Sequence, residues 1–301
     1  MFKRFGLWAM MSIAIVGTIG VVTSVLGIGP YLTSNGIAFQ ELIIMCALWG
    51  MLGSFISLAM SKFIAKKMMG VKIIDEDNSQ YGKIVLMVHR LARSADLNKM
   101  PELGIYESPE VNAFATGPSK SNSLVAVSTG LLQSMNSDEL EGVLAHEVAH
   151  IANGDMVTMT LIQGVVNAFV MFFARIVAYA VTQMMRSDDD ESPIGGFAYY
   201  GIVFVFDILF GILGSMITAW FSRVREYSAD LGGAQLAGKD KMLSALKKLN
   251  IQYEHGQFDK DSNDSSIAAF KISSKETGFR ALISTHPKLS DRISRLENLS
   301  Y

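Results

Sequence analysis

Two histidines and a glutamate stand together in "VLAHEVAHIANGD", residues 143–155: His146, Glu147 and His150. On a helix, positions four apart fall about 40° from each other around the axis, so both imidazoles point to one side. Two imidazoles on one face can share a metal ion, and Glu147 beside them can reach the attacking water rather than the metal. That is the chemistry of a zinc hydrolase, in which three protein ligands hold the ion and one position stays open. The preceding residues favour a helix start. Asn136 or Ser137 can cap, and Asp138, Glu139 and Glu141 put negative charge near the first turn. Leu140, Leu144, Val148 and Ile151 fall on the opposite face and can pack into a core. The string by itself also fits two surface histidines on a helix. A third ligand decides between the two readings.

The elements that must bring that ligand are membrane helices. Half of the 301 residues are hydrophobic and only 18% are charged, against about 25% in ordinary soluble chains. The net charge of −2 gives no case for nucleic acid. A single cysteine, Cys46 in an apolar run, excludes a disulfide framework and a cysteine metal cluster, and reads as a small buried hydrophobe. Four stretches, 5–29, 38–61, 156–185 and 197–220, reach the roughly 20 apolar residues that cross a bilayer. The first exceeds a signal-peptide core and is expected to stay as a helix. The third and fourth hold one charge each, Arg175 and Asp207. As an antiparallel hairpin joined by 186–196, they place both charges at one depth, where an ion pair would pin the helices or line a substrate path.

Lysine and arginine set the orientation. Lys3 and Arg4 precede the first segment, Lys62, Lys66, Lys67 and Lys72 crowd the end of the second, and Arg223 and Arg225 follow the fourth. The short loops carry almost none. Both termini and the blocks 62–155 and 221–301 are therefore expected on the cytoplasmic side. No internal repeat of the transporter kind is visible.

After Asp155 the chain crosses the membrane twice and re-emerges near Ser222, on the side it left. There it reads "SRVREYSADLGG", with Glu226 and Asp230 four apart on one helical face. The hairpin delivers Glu226 beside the histidines as third ligand. Asp230 can accept the free N–H of a liganding imidazole and fix its tautomer. The expected fold is α+β and mostly α-helical, with four transmembrane helices and a cytoplasmic domain carrying a small β-sheet. Its strands come from "LGIYESPEVNAFATG" and "SLVAVSTGLL", around the turn residues Pro109, Gly117 and Pro118. The expected layout is two membrane helices in 1–61, a catalytic block 62–155, a membrane hairpin 156–221 and a second catalytic block 222–301. The polar stretch 254–279 reads as a solvated loop, or a lid.

"HEVAHIANGD", "REYSAD" and "STHPKLSDRISRL" together resemble the HtpX family of membrane-bound zinc metalloproteases, related to the type 1 CAAX prenyl endopeptidases. The resemblance covers nearly the whole chain. It implies a gluzincin-like core with one zinc ion, held by His146, His150 and Glu226, and Glu147 as catalytic residue. It implies an endopeptidase of the bacterial inner membrane, facing the cytoplasm and serving stress response and quality control. Its partners would be membrane-protein or unfolded polypeptide substrates and the lipid bilayer, with no nucleic acid. "EVNAFATG", 110–117, resembles the segment beside the active site, which implies that Asn112 faces substrate; otherwise it is a turn asparagine. His286, in "STHPKL", matches an active-site histidine able to donate to an oxyanion; otherwise it is a loop histidine. Arg292 is expected to pair with a nearby carboxylate, and His89 and His255 to be ordinary surface or packing residues.

Two rival functions stand beside this one. A processing peptidase for a narrow target, such as a prenylated tail, would carry more membrane segments. A transporter or receptor with a structural zinc would need a closed site of four ligands, and no fourth is evident.

Overall fold

The computed structural model describes residues 39–185, 196–254 and 282–299. Along the chain run α1 (Phe39–Met68), β1 (Lys72–Ile74), α2 (Gly82–Ser94), β2 (Glu102–Tyr106), β3 (Ala113–Ser119) and β4 (Asn122–Ser128). They are followed by α3 (Thr129–Ser134), α4 (Ser137–Asn153), α5 (Asp155–Met184), α6 (Gly196–Ala237), α7 (Lys239–Glu254) and α8 (Leu289–Glu297). The described residues form two compact units. One lies within Met1–Ser57 and Met159–Thr218, the other within Leu58–Thr158 and Ala219–Tyr301.

In the first unit, length and apolarity dictate the elements. Among the described residues, three helices are long and apolar enough to cross a membrane: Phe39–Met68, Asp155–Met184 and Ala198–Ala237. They carry the second, third and fourth expected segments. The first segment lies outside the described residues, as do 186–195 and 255–281. Cys46 is fully buried among Ile43, Ala47, Met51, Ala168 and Phe172, as a small hydrophobe should be. Small residues let the helices touch: a Cβ on Gly50 would lie 2.6 Å from the Ala168 backbone nitrogen. The expected ion pair between Arg175 and Asp207 is not made among the described residues. Arg175 donates instead to the Met171 carbonyl one turn back, at 2.8 Å. Oδ1 of Asp207 is buried without a hydrogen-bond partner. The long arginine side chain can satisfy itself on its own helix, and the short aspartate cannot.

The second unit is built on a four-stranded sheet of order β1-β2-β4-β3. β2 and β4 pair in parallel, and the other neighbours are antiparallel. Gly117 and Pro118 were expected at a turn but lie inside β3, where the register shifts between Thr116 and Ser119. A glycine at φ 141° and a proline without an N–H fit a bulge on an edge strand. The chain reverses after them, between Ser119 and Asn122. β1, three residues on the opposite edge, had no sequence signal.

One sheet face packs Leu103, Val125 and Val127 against Val88 of α2 and Leu144 and Val148 of α4. The other collects Val71, Tyr106, Phe114 and Leu124. α4 begins with a capping box: the Asn136 side chain accepts from the Asp138 and Glu139 amides, and Glu139 returns to the Asn136 amide. It ends at Gly154, in the left-handed region at φ 76°. Its apolar face is buried as expected, and so are His146 and Glu147 on the other side.

Candidate metal centre

Three elements of the second unit converge on one point. α4 supplies His146, Glu147 and His150, α6 supplies Glu226 and Asp230, and the loop before α8 supplies His286. The two Nε2 atoms lie 3.1 Å apart. Glu226 offers Oε2 at 3.5 Å from Nε2 of His146 and Oε1 at 3.2 Å from Nε2 of His150. Metal–ligand bonds of about 2.0–2.1 Å in a tetrahedron set ligand atoms about 3.3 Å apart, and the two ring nitrogens and the two carboxylate oxygens stand near that spacing. Glu226 is 2% exposed, and its Oε2 has no hydrogen-bond partner. A buried carboxylate oxygen with no aligned donor, held only by ionic contacts to His286 and Arg292, suits a cation between the two rings. Among the described residues, this is the group of histidines and carboxylates arranged to hold a metal ion.

The far side of each ring is also held. Nδ1 of His146 faces Oδ1 of Asp230 at 3.0 Å, and Nδ1 of His150 faces Oδ2 of Asp155 at 2.6 Å. A carboxylate on Nδ1 keeps that proton and turns the Nε2 lone pair to the metal. Asp230 is clamped in turn by Arg292, whose Nε and Nη2 donate to its two oxygens at 2.8 and 2.5 Å. Arg292 is 1% exposed, and its Nη1 lies 3.5 Å from Oε2 of Glu226. Arg292 thus has the carboxylate partner expected of it, and that partner is Asp230.

Charge follows geometry. Burial pushes the Glu147 carboxyl above the usual range, against the pull of His146 and His150. A carboxyl raised in this way suits a group that takes and returns a proton. Burial alone would lower His150, but hydrogen bonds to Asp155 and Glu226 outweigh it and hold the ring up to about 10. His146 moves up for the same reason: burial is outweighed by Asp230 and Glu226.

His286 stands beside the third ligand. Its Nδ1 is 3.0 Å from Oε2 of Glu226, without the alignment of a hydrogen bond. Asn112 immediately precedes the edge strand β3. Its backbone is fixed to Ser128, N–H to Oγ at 3.1 Å and carbonyl from N–H at 3.0 Å. Its amide is buried, with neither Nδ2 nor Oδ1 hydrogen-bonded. The structure therefore gathers His146, Glu147, His150, Glu226, Asp230 and His286, while the Asn112 amide makes no hydrogen bond to them. His89 is a latch elsewhere, between Glu76 and the Pro101 carbonyl; His255 lies outside the described residues. The residue that sequence reasoning missed is Asp155. Its one signal is the preceding glycine, which ends α4 and turns the next carboxylate back toward the helix.

A family model described as Peptidase family M48 matches residues 78–300. The Protease HtpX homolog of Bacillus licheniformis is 52% identical over 306 aligned positions, which cover 99% of both chains. Protease HtpX of Shewanella denitrificans is 50% identical over 298, covering 98% of this chain and 99% of that one. The crystal structure of S. mikatae Ste24p shares the fold, with a TM-score of 0.57 at 17% identity, over 99% of this chain and 67% of that chain.

Proposed function

The chain belongs to peptidase family M48 and is a membrane metalloprotease, and from that premise we propose a zinc endopeptidase that cuts misfolded or damaged membrane proteins. One observation carries the reading. Ligand atoms of His146, His150 and Glu226 stand at metal-ligand spacing, with Glu147 alongside. Two histidines and one carboxylate are the donor set of a catalytic zinc, which would supply Lewis-acid polarisation of the peptide carbonyl and ready ionisation of water. Glu147 takes the proton of the attacking water and passes it to the leaving amine. His286 donates to the developing oxyanion, and the unpaired amide of Asn112 faces the substrate backbone. Asp230 keeps His146 in its ligating tautomer.

The substrate class follows from where the ligands sit along the chain. Glu226 lies on the same 42-residue helix as the apolar segment 197–220, and α5 begins five residues after His150. Cleavage therefore takes place in polypeptide close to a lipid surface. The lysine and arginine distribution supports the cytoplasmic face of a bacterial inner membrane, with two membrane helices in 1–61, the hairpin 156–221, and catalytic blocks 62–155 and 222–301. A transporter or receptor with a structural zinc is not favoured, since three protein ligands leave a position open.

Digestion of unfolded casein by the detergent-solubilised full chain tests the reading. Cleavage should require zinc and stop with a chelator. Glu147→Gln should lose at least about 100-fold in rate, as removal of a general base does, and still bind one zinc. Full activity in Glu147→Gln would remove that residue from the chemistry.

A further inference from the structure

The two ligand rings are backed differently. His146 is held by Asp230, a residue one helical turn from the third ligand and itself locked by Arg292. His150 is held by Asp155, and the contact at 2.6 Å is the shorter of the two. In an uninterrupted helix, a residue five positions on points about 140° away. Asp155 reaches the ring only because α4 stops at Asn153 and Gly154 reverses the backbone at φ 76° before α5 begins. Asp155 is 7% exposed, so the contact is buried. Its main chain is tied as well: the Asp155 carbonyl accepts from Nη1 of Arg225 at 2.7 Å, and Arg225 immediately precedes Glu226.

We propose that Asp155 is a positioning residue of the metal centre. Its carboxylate holds the Nδ1 proton of His150 so that Nε2 is the ligating atom. Its carbonyl, through Arg225, holds the junction of α4 and α5 against the turn of α6 that carries Glu226. One residue thus joins two ligands that lie 76 positions apart in sequence, His150 and Glu226. The role rests on the metal-binding reading of the site and adds to it a residue for which the HExxH string gives no sign.

The test uses the full chain in detergent, with zinc alone as the probe. Zinc affinity is measured by competition with a chromophoric chelator for the parent, Asp155→Ala and Asp155→Asn. The alanine variant should raise the zinc dissociation constant about 10–100-fold, as loss of such outer partners does. The asparagine variant keeps the shape and an acceptor oxygen but not the charge, and should fall between. A second readout is specific to the ring. With the five histidines labelled by nitrogen-15, the zinc-loaded parent should show, beside the signal of His146 on Asp230, a strongly downfield, slowly exchanging imidazole N–H from His150. The His150 signal should move upfield and exchange faster in both variants. If Asp155→Ala does not fold, the isosteric asparagine variant decides on both readouts. Parent-like zinc affinity and an unchanged N–H signal in the variants would overturn the role of Asp155 alone. A parent that binds no zinc would overturn the metal reading of the site, and this role with it.

Discussion

At the scale of residues, the centre is a site where buried carboxylates hold the charge on buried imidazoles. Burial, which opposes charge on His150, is outweighed by Asp155 and Glu226, and the ring is held up to about 10 from an ordinary 6.5. A histidine with a raised native pKa stabilises the fold fully below the unfolded value, about 6.5, and loses that contribution as pH rises through the native value. The metal-free protein should therefore lose this contribution between pH 6.5 and about 10. Zinc works in the opposite sense, because it binds the neutral ring and gains as protons leave. The expected outcome is that the melting temperature gained on adding zinc is larger at pH 8.5 than at pH 6.5. Calorimetry in buffers of different ionisation heat should record proton release on binding. A zinc-dependent gain that is flat with pH would contradict the assignment of the two rings as ligands. Much of this site was legible in sequence, because a helix fixes side-chain direction locally: four residues apart is one face, for His146 and His150 as for Glu226 and Asp230. Asp155 was not legible, since its direction depends on a single left-handed residue.

At the scale of elements, the centre depends on how closely helices approach. α4 meets α7 at Gly142, where a Cβ would lie 2.6 Å from the Lys241 carbonyl and 3.0 Å from the Ala245 Cβ. Alanine in a helix interior gains about 1 kcal/mol over glycine in propensity. Overpacking against a backbone carbonyl that cannot step aside costs about 1–3 kcal/mol. The clash should win: Gly142→Ala should melt lower than the parent and bind zinc more weakly, because α4 carries both histidines. Gly53, with nothing within 4 Å of its would-be Cβ, is the control, and Gly53→Ala should not lower the melting temperature. A Gly142→Ala chain as stable as the parent would mean that the helices separate at no cost. The helix start at Asn136 was legible, because a cap is written in adjacent residues. The sheet was less so. Gly117 and Pro118 carry turn chemistry, yet they were absorbed as an edge bulge, and β1 is three residues held by partners distant in sequence.

At the scale of the whole molecule, hydropathy marks which segments are long and apolar enough to cross, and charge carries the proposed orientation. Length and composition are properties of a segment, so the three apolar helices found among the described residues, the second to fourth of the four segments expected, were evident before any contact was known. The pairing of Arg175 with Asp207, expected from their equal depth, is not made, because equal depth along two helices says nothing about how each turns around its axis. Orientation rests on Lys62, Lys66, Lys67 and Lys72 on one side of the segments and a loop with only Arg186 on the other. The single cysteine makes this testable, since Cys46 is fully buried and gives little background to a thiol reagent. Ser192→Cys in the acidic loop and Ser121→Cys in the catalytic block report opposite faces. In intact spheroplasts, a membrane-impermeant maleimide should label the first and spare the second, and opening the membrane should expose both. The reverse pattern would place the metal centre on the outer face. The apolar helices would be unchanged by that result, but cleavage would then act on the extracytoplasmic segments of membrane proteins, and the proposed substrates would have to change with it.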